Sequence, residues 1–331
     1  MKALVFDKSG LENLQVRDAE QPATGLHDVL IRVKMASVNP IDYRVVTSIP
    51  NIRPIPHIPG AEFAGQVETV GDHVTKLKKG DRVAVYNRVF DGRCDMCLSN
   101  NEMLCRNGGM VGLVTNGGFA EYSVIPEENA FHIPDDVSWE TAASLSVGAL
   151  TSYHALRESG LKAYEDLVVF GASGNTGSFA VQFGKTFGAN VIAVTGKSWL
   201  GDFGADYVFN HGEAVEKIGE VTSGKMADVV LNSLGLKTWS AALDVSGVLG
   251  RLVFFGTLTG NKVELDLNRI YGRHTRVIGT TGGRRDEFEE LIAVSKNFKL
   301  RTWKKFRLED GVKALESLLS EERDGRILLE T

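Results

Sequence analysis

Cys94, Cys97 and Cys105 are the only cysteines of the chain, and they fall within twelve residues. An odd, clustered set does not make a disulfide framework. Cys94-x-x-Cys97 lets two thiolates face one ion and Cys105 can complete a side, which is a zinc spacing. Asp91 precedes Cys94 by the same three-residue stride. A carboxylate oxygen is an acceptable fourth ligand; His132 or an external ligand is the alternative. Four protein ligands close the shell, so a structural Zn2+ is expected in a lobe spanning about 88–110.

A second pattern that carries chemistry is Leu167-Val168-Val169-Phe170-Gly171-Ala172-Ser173-Gly174-Asn175-Thr176-Gly177. It reads as a strand, a turn of small residues and a helix start. Gly174 and Gly177 match the last two positions of G-x-G-x-x-G, and Ala172 stands at the first. Gly174 lets the backbone approach a pyrophosphate, and Gly177 lets helix and strand pack closely. The helix N-terminus adds amide donors and a positive dipole. Gly171, Ser173, Gly174, Asn175, Thr176 and Gly177 are therefore the expected dinucleotide loop. An NAD site usually places Asp or Glu about 20 residues on, against the ribose 2′-hydroxyl. Here the second strand ends in Val194-Thr195-Gly196-Lys197-Ser198, without an acid. The Lys197 cation and the neighbouring hydroxyls suit a 2′-phosphate, so NADP(H) is favoured over NAD(H).

The elements that must position these residues change style near residue 138. Before it lie short β segments at Lys2–Phe6, Leu14–Arg17, Val29–Met35, Glu62–Val70, Arg82–Tyr86 and Phe119–Ile125. Turn signals such as Val38-Asn39-Pro40 and Lys79-Gly80-Asp81 separate them, which predicts a barrel-like all-β unit. Ser138 is a good N-cap for a helix to about Glu158. Strands and helices then alternate. The strands are read at Asp166–Gly171, Asn190–Thr195, Asp206–Asn210, Ala227–Asn232, Gly250–Gly256 and Thr275–Thr280. Apolar strands of this kind predict a parallel sheet covered on both faces. Helical patterns near Asp286–Asn297 and Glu309–Ser320 and a strand at Arg326–Leu329 follow. The expected organisation is a substrate domain over 1–148, a cofactor domain over 149–281, and a return to the first domain over 282–331.

Net charge is −5, so no electrostatic ground exists for nucleic-acid binding. No apolar run nears the ~20 residues that span a bilayer. Asp7 and Lys8 interrupt the N-terminus before any long apolar stretch, unlike a secretory signal. The expected location is cytoplasmic, with no membrane partner.

Taken together these residues resemble the medium-chain dehydrogenase/reductase superfamily, the zinc alcohol dehydrogenases and quinone oxidoreductases. The resemblance runs nearly end to end. It is carried by Ser37-Val38-Asn39-Pro40-Ile41-Asp42, Pro59-Gly60-Ala61-Glu62-Phe63-Ala64-Gly65, Gly80-Asp81-Arg82-Val83, the cysteine lobe, Gly117-Gly118-Phe119-Ala120-Glu121-Tyr122 and the glycine loop. It implies an α/β protein: a GroES-like β-barrel substrate domain, a Rossmann doubly wound cofactor domain, and an active-site cleft between them. In zinc alcohol dehydrogenases the catalytic ion is held by a Cys, the His of Gly-His-Glu, and a Cys or Asp. Here Asn39, Ala61 and Val147 stand at or near those positions. The resemblance thus implies no catalytic Zn2+ and places the chain in the quinone oxidoreductase branch. Asn39 and Tyr43 would line the nicotinamide cleft, with Tyr43 donating to a substrate carbonyl. Asp42 and Glu62 would be structural carboxylates. His211, Asn232, Ser233, Phe255 and Gly256 would follow strands that end at the cofactor, and Arg326 would approach it or lie in solvent. The expected activity is NADPH-dependent hydride transfer to a quinone or α,β-unsaturated carbonyl. The alternatives are a zinc-type alcohol dehydrogenase and a non-enzymatic NADPH-binding sensor or structural protein. A homodimer or homotetramer is expected, paired through an edge strand at Lys262–Leu267.

Overall fold

The computed structural model describes residues 1–50 and 52–331. The chain divides into two units: residues 1–147 with 284–331, and residues 148–283.

The first unit opens with the hairpin β1 (Lys2–Val5) and β2 (Gln15–Asp18). Its main sheet is built on β3 (Asp28–Val38), β4 (Phe63–Val70) and β5 (Arg82–Val85). Alternate residues Val29, Ile31 and Val33 of β3 enter the core while Arg32 faces out, the period-two pattern of a half-buried strand. Helix α1 (Pro40–Thr47) follows β3. The Asn39-Pro40 pair had read as a turn. It is instead a helix start: Pro at the first helical position gives up an amide that has no intrahelical partner there, and the Asp42 carboxylate accepts from the Asn39 N–H at 2.8 Å. Strands β6 (Arg88–Val89) and β7 (Gly109–Met110) pair across the base of the cysteine lobe, which holds α2 (Asp95–Leu98). Strands β8 (Tyr122–Pro126) and β9 (Ala130–His132) complete the N-terminal set. Phe119 and Ala120, expected to open β8, precede it.

The helix expected from Ser138 to Glu158 is not continuous. Ser138 does cap α3 (Trp139–Ala142), its Oγ accepting from Thr141 N at 3.1 Å. A π-turn over Leu145–Ala149 then intervenes before α4 (Leu150–Ser159). The cause is visible: Val147 N–H leaves the helical ladder to donate to Glu62 Oε1 at 2.6 Å.

The second unit is a parallel sheet of β10 (Asp166–Phe170), β11 (Asn190–Val194), β12 (Tyr207–Phe209), β13 (Ala227–Asn232), β14 (Ser246–Phe254) and β15 (Arg276–Gly279). Helices α5 (Gly177–Thr186), α6 (Ala214–Val221), α7 (Leu236–Asp244) and α8 (Leu267–Arg273) lie among them. The spatial order β12-β11-β10-β13-β14-β15 is the doubly wound order of a Rossmann fold, with its switch point between β10 and β13. Residues 262–266, expected as an edge strand, form none. Asp266 instead caps α8, its carboxylate accepting from Arg269 N, so the alternating pattern ends in a helix start. The sheet edges are β12 and β15.

The chain returns through α9 (Arg285–Val294), β16 (Thr302–Arg307), α10 (Gly311–Glu316) and β17 (Arg326–Glu330). β17 is sandwiched between β16 and β3. Among the described residues no helix is long and apolar enough to cross a membrane.

Candidate functional site

Glu62 is the hub of a buried polar knot in the first unit. Its Oε2 accepts from the Asn39 amide at 2.9 Å and lies 3.5 Å from Arg326 Nη1, and its Oε1 takes the Val147 N–H. Asn39 also donates to Ser37 O at 3.3 Å, and Ser37 Oγ meets Ser144 Oγ at 3.2 Å. Asn39, Glu62 and Arg326 are all buried. Arg326 is therefore not solvated. It is the cation of this knot, and desolvation lowers its pKa. No local signal could reveal this, because Arg326 and Glu62 are 264 positions apart. Asp42 closes the knot from α1, its carboxylate accepting from Ala61 N and Asn39 N, both at 2.8 Å. Burial raises its pKa to about 7 against the pull of those amides, and Glu62 adds to the rise. Tyr43 is the next residue of α1, half-buried beside the barrel core. The knot thus joins Asn39 and Val147 to the Glu62 carboxylate and Ala61 to the Asp42 carboxylate, with neither Cys nor His among the three.

In the cysteine lobe Asp91, Cys94, Cys97 and Cys105 bring one ligand atom each within 4.8 Å of all the others. An ion with tetrahedral Zn–S bonds of about 2.3 Å separates its sulfurs by about 3.8 Å. Cys94 Sγ stands 3.6 Å from Cys97 Sγ and 3.9 Å from Cys105 Sγ, so the donor set fits zinc. Asp91 is held by the N–H groups of Arg93 and Cys94 and the Asn107 amide, which keep its carboxyl well below the usual range. Backbone N–H groups of Arg106 and Cys97 lower the Cys94 thiol. His132 does not join the cluster; it pairs with β5, and its ring faces Lys76 O and Asp81. Among the described residues no second group of three such ligands occurs.

The glycine loop of the second unit follows β10 at the switch point, where open α/β sheets hold ligands. Gly171 has φ +71°, a region favourable to glycine, and a Cβ there would meet Ser233 Oγ at 2.9 Å. A Cβ on Gly177 would strike Gly171 O at 2.2 Å, so helix and turn touch there. At Gly174 a Cβ would meet only Gly171 O, at 3.1 Å; the side a phosphate would approach is open. Ser152 Oγ donates to Thr176 O at 2.6 Å, and Asn175 is buried beside the start of α5. Thr195 Oγ1 donates to Ser173 Oγ at 2.9 Å, tying the loop to the end of β11, where Gly196 and Lys197 follow. His211 is exposed and stands 6.2 Å from the Phe170 ring. Gly256 packs so tightly that a Cβ would hit Ser233 O at 2.1 Å, and Phe255 N–H reaches Asn232 O. Asn232 Oδ1 accepts from Leu234 N, Gly235 N and Thr238 Oγ1, so this side chain builds the β13–α7 turn.

Two family patterns cover most of the chain: the alcohol dehydrogenase GroES-like domain over residues 25–135 and the zinc-binding dehydrogenase over residues 176–297. The chain belongs to the medium-chain dehydrogenase/reductase superfamily. It is 31% identical to the NAD-dependent alcohol dehydrogenase of Sulfolobus acidocaldarius over 99% of both chains. It is 27% identical to the quinone oxidoreductase of Rattus norvegicus, over 99% of this chain and 97% of that one. The cobalt- and zinc-bound thermostable alcohol dehydrogenase of Pyrobaculum aerophilum superposes with a TM-score of 0.92 at 42% identity, covering 100% of this chain and 99% of that one. This medium-chain dehydrogenase/reductase is an oxidoreductase with a nicotinamide cofactor.

Proposed function

We propose that this oxidoreductase uses NADPH, lacks a catalytic zinc and reduces quinones or α,β-unsaturated carbonyls in the cytoplasm. The observation that carries the reading is the Glu62 knot. Asn39 and Val147 supply an amide and a backbone N–H to a carboxylate that already has Arg326 as its cation, and Ala61, whose N–H goes to Asp42, offers only a methyl side chain. None of the three presents the thiolate or imidazole that zinc takes in catalytic sites. When bound, the cofactor supplies the hydride. The chain's own part is positioning: Asn39 holds Glu62 and the start of α1, and the Tyr43 hydroxyl donates to the acceptor's carbonyl oxygen as negative charge develops there. Lys197, with Thr195 and Gly196, favours a 2′-phosphate. The cysteine lobe, closed by Asp91, holds one structural zinc.

The alcohol dehydrogenase reading draws on the names of relatives and requires a second metal site. The apolar side chains of Leu258, Val263, Leu265, Leu267 and Tyr271 are exposed on one segment of the second unit. They favour a homodimer or homotetramer over a monomer, which sedimentation would reveal. The deciding experiment follows absorbance at 340 nm with NADPH or NADH against a quinone and a conjugated ketone, and with NADP+ or NAD+ against alcohols, beside elemental analysis. Turnover of conjugated acceptors with NADPH and one zinc per chain is expected. Alcohol oxidation that a chelator abolishes, with two metals per chain, would overturn the reading.

A further inference from the structure

Strand β8 has an open edge. It pairs with β3 alone. Val33 N donates to Glu121 O and Glu127 N to His27 O, both on the β3–β8 register. Ser123 and Ile125, in phase between them, therefore turn their N–H and C=O toward β3. Tyr122 and Val124 are out of phase and turn theirs to the opposite edge. Among the described residues neither peptide group has a partner there. Pro126, which has no N–H, ends the edge.

A cavity of about 580 Å3 runs along that edge, within the range of ligand clefts. All five residues of β8 line it, those of both faces alike, so the strand meets the cavity edge-on. Val5, Ala19, Pro56 and Val114 contribute to the other walls, and the whole cavity belongs to the first unit. Its charged groups are unequal. Glu20 and Asp28 line it, and among the described residues neither carboxylate has a hydrogen-bond or ion-pair partner. Among the described residues no Lys or Arg lines it. The Met1 ammonium does, and it already donates to Ala19 O at 2.8 Å.

Open strand edges invite pairing and are commonly guarded by charged side chains. The outer strand β16 is guarded in this way by Lys304, Lys305 and Arg307. β8 reads Tyr-Ser-Val-Ile-Pro and carries no charge, so its guard is the recess itself. A recess refuses the edge of another folded sheet and admits a single extended chain. We propose that this groove binds an extended segment of a partner protein as an added strand, with a Lys or Arg of that segment against Glu20 and Asp28. Backbone bonds to Tyr122 and Val124 supply the affinity, and the two carboxylates supply the preference for a basic side chain.

The test titrates acetyl-Lys-Val-Thr-Val-Lys-amide into the full chain by calorimetry; a lysine at each end serves either strand direction. Saturable one-to-one binding below about 1 mM is expected. N-methylation of both valines in one peptide, and of the threonine in another, blocks opposite edges of the added strand. One of the two should bind within about twofold of the parent and the other about tenfold more weakly. Glu in place of both lysines should weaken binding about tenfold. In the protein, Val124→Pro removes an N–H from the open edge and none from the β3 ladder, and should weaken the parent peptide about tenfold. Asp28→Asn should weaken it about threefold, the size of an exposed ion pair. The peptide comparisons use the unaltered chain, so they decide even where a variant fails to fold. No saturable heat, equal affinity for the two methylated peptides, or undiminished affinity for the Glu peptide overturns the proposal. Equal binding of hexylamine, which has no amide, overturns it in favour of an amphiphilic amine. If the peptide does not bind and Val124→Pro lowers the sedimentation coefficient, a second copy covers β8 and the proposal fails.

Discussion

Asp42 is a carboxyl group withdrawn from water at the first turn of α1, and its burial raises its pKa to about 7. The folded state therefore keeps a proton on Asp42 at pH values where the unfolded chain has released it. Between about pH 4 and pH 7 the native state binds more protons, so stability falls as pH rises through that window. Asp42→Asn should remove this slope. It should also cost about 1–3 kcal/mol, since a side-chain NH2 would face the N–H of Asn39 or Ala61. Urea midpoints at pH 5 and pH 8 check both; an unchanged slope in the variant assigns the titration to another group. Lys197 follows the end of β11, where NAD enzymes place an acid. Lys197→Ala should weaken NADPH about tenfold and leave NADH nearly unchanged, the size of one charge-assisted hydrogen bond. Equal losses for both cofactors would remove Lys197 from 2′-phosphate recognition.

At the scale of elements, the cysteine lobe has too little structure of its own to hold its shape. It contains the four-residue α2 and the two-residue strands β6 and β7. Side-chain ties add Arg106 to Asp95 and Asn100 to Asp286 at 2.8 Å. On the proposed reading a zinc held by Asp91, Cys94, Cys97 and Cys105 would supply the rest of the stability. Removal of zinc, or Cys94→Ser, should expose 88–110 to protease and lower stability. The loss is about 2.7 kcal/mol where free zinc is a hundredfold above Kd. NADPH binding should persist, because the glycine loop belongs to the other unit. Limited proteolysis with and without chelator reads this, and an unchanged digest would mean the lobe folds without metal. This lobe and the glycine loop were legible in the sequence because each is local: ligands three residues apart, glycines within one βα turn. Elements whose signals have two meanings were misread. Asn39-Pro40 serves turns and helix starts equally. Lys262–Leu267 alternates like a strand, yet Asp266 caps a helix. β16 passed unseen because an edge strand rich in Lys and Arg looks like a solvated face.

At the scale of the molecule, the first unit is assembled from both ends of the chain. The chain leaves it after Val147 and returns at Arg284, and β17 then inserts between β16 and β3. No local pattern announces such a closure, which is why Arg326 could not be placed beside Glu62 from the sequence. The Arg326–Glu62 pair is the ionic contact that ties this last strand to the residues around Asn39 and Val147. Both partners are buried, so removing one strands the other's charge away from water. Arg326→Met and Glu62→Gln should each cost about 3–5 kcal/mol. The double variant should cost less than the sum of the two, because neither charge then lacks its counterpart. Denaturant unfolding of the four proteins closes the cycle, and hydrogen exchange of β3 and β17 amides reports the first unit by itself. Single losses below 1 kcal/mol, or strict additivity, would mean that the C-terminal strand is held by its backbone ladder and apolar face alone. A positive coupling would show that the buried Glu62–Arg326 pair ties the chain's last strand to the residues around Asn39 and Val147.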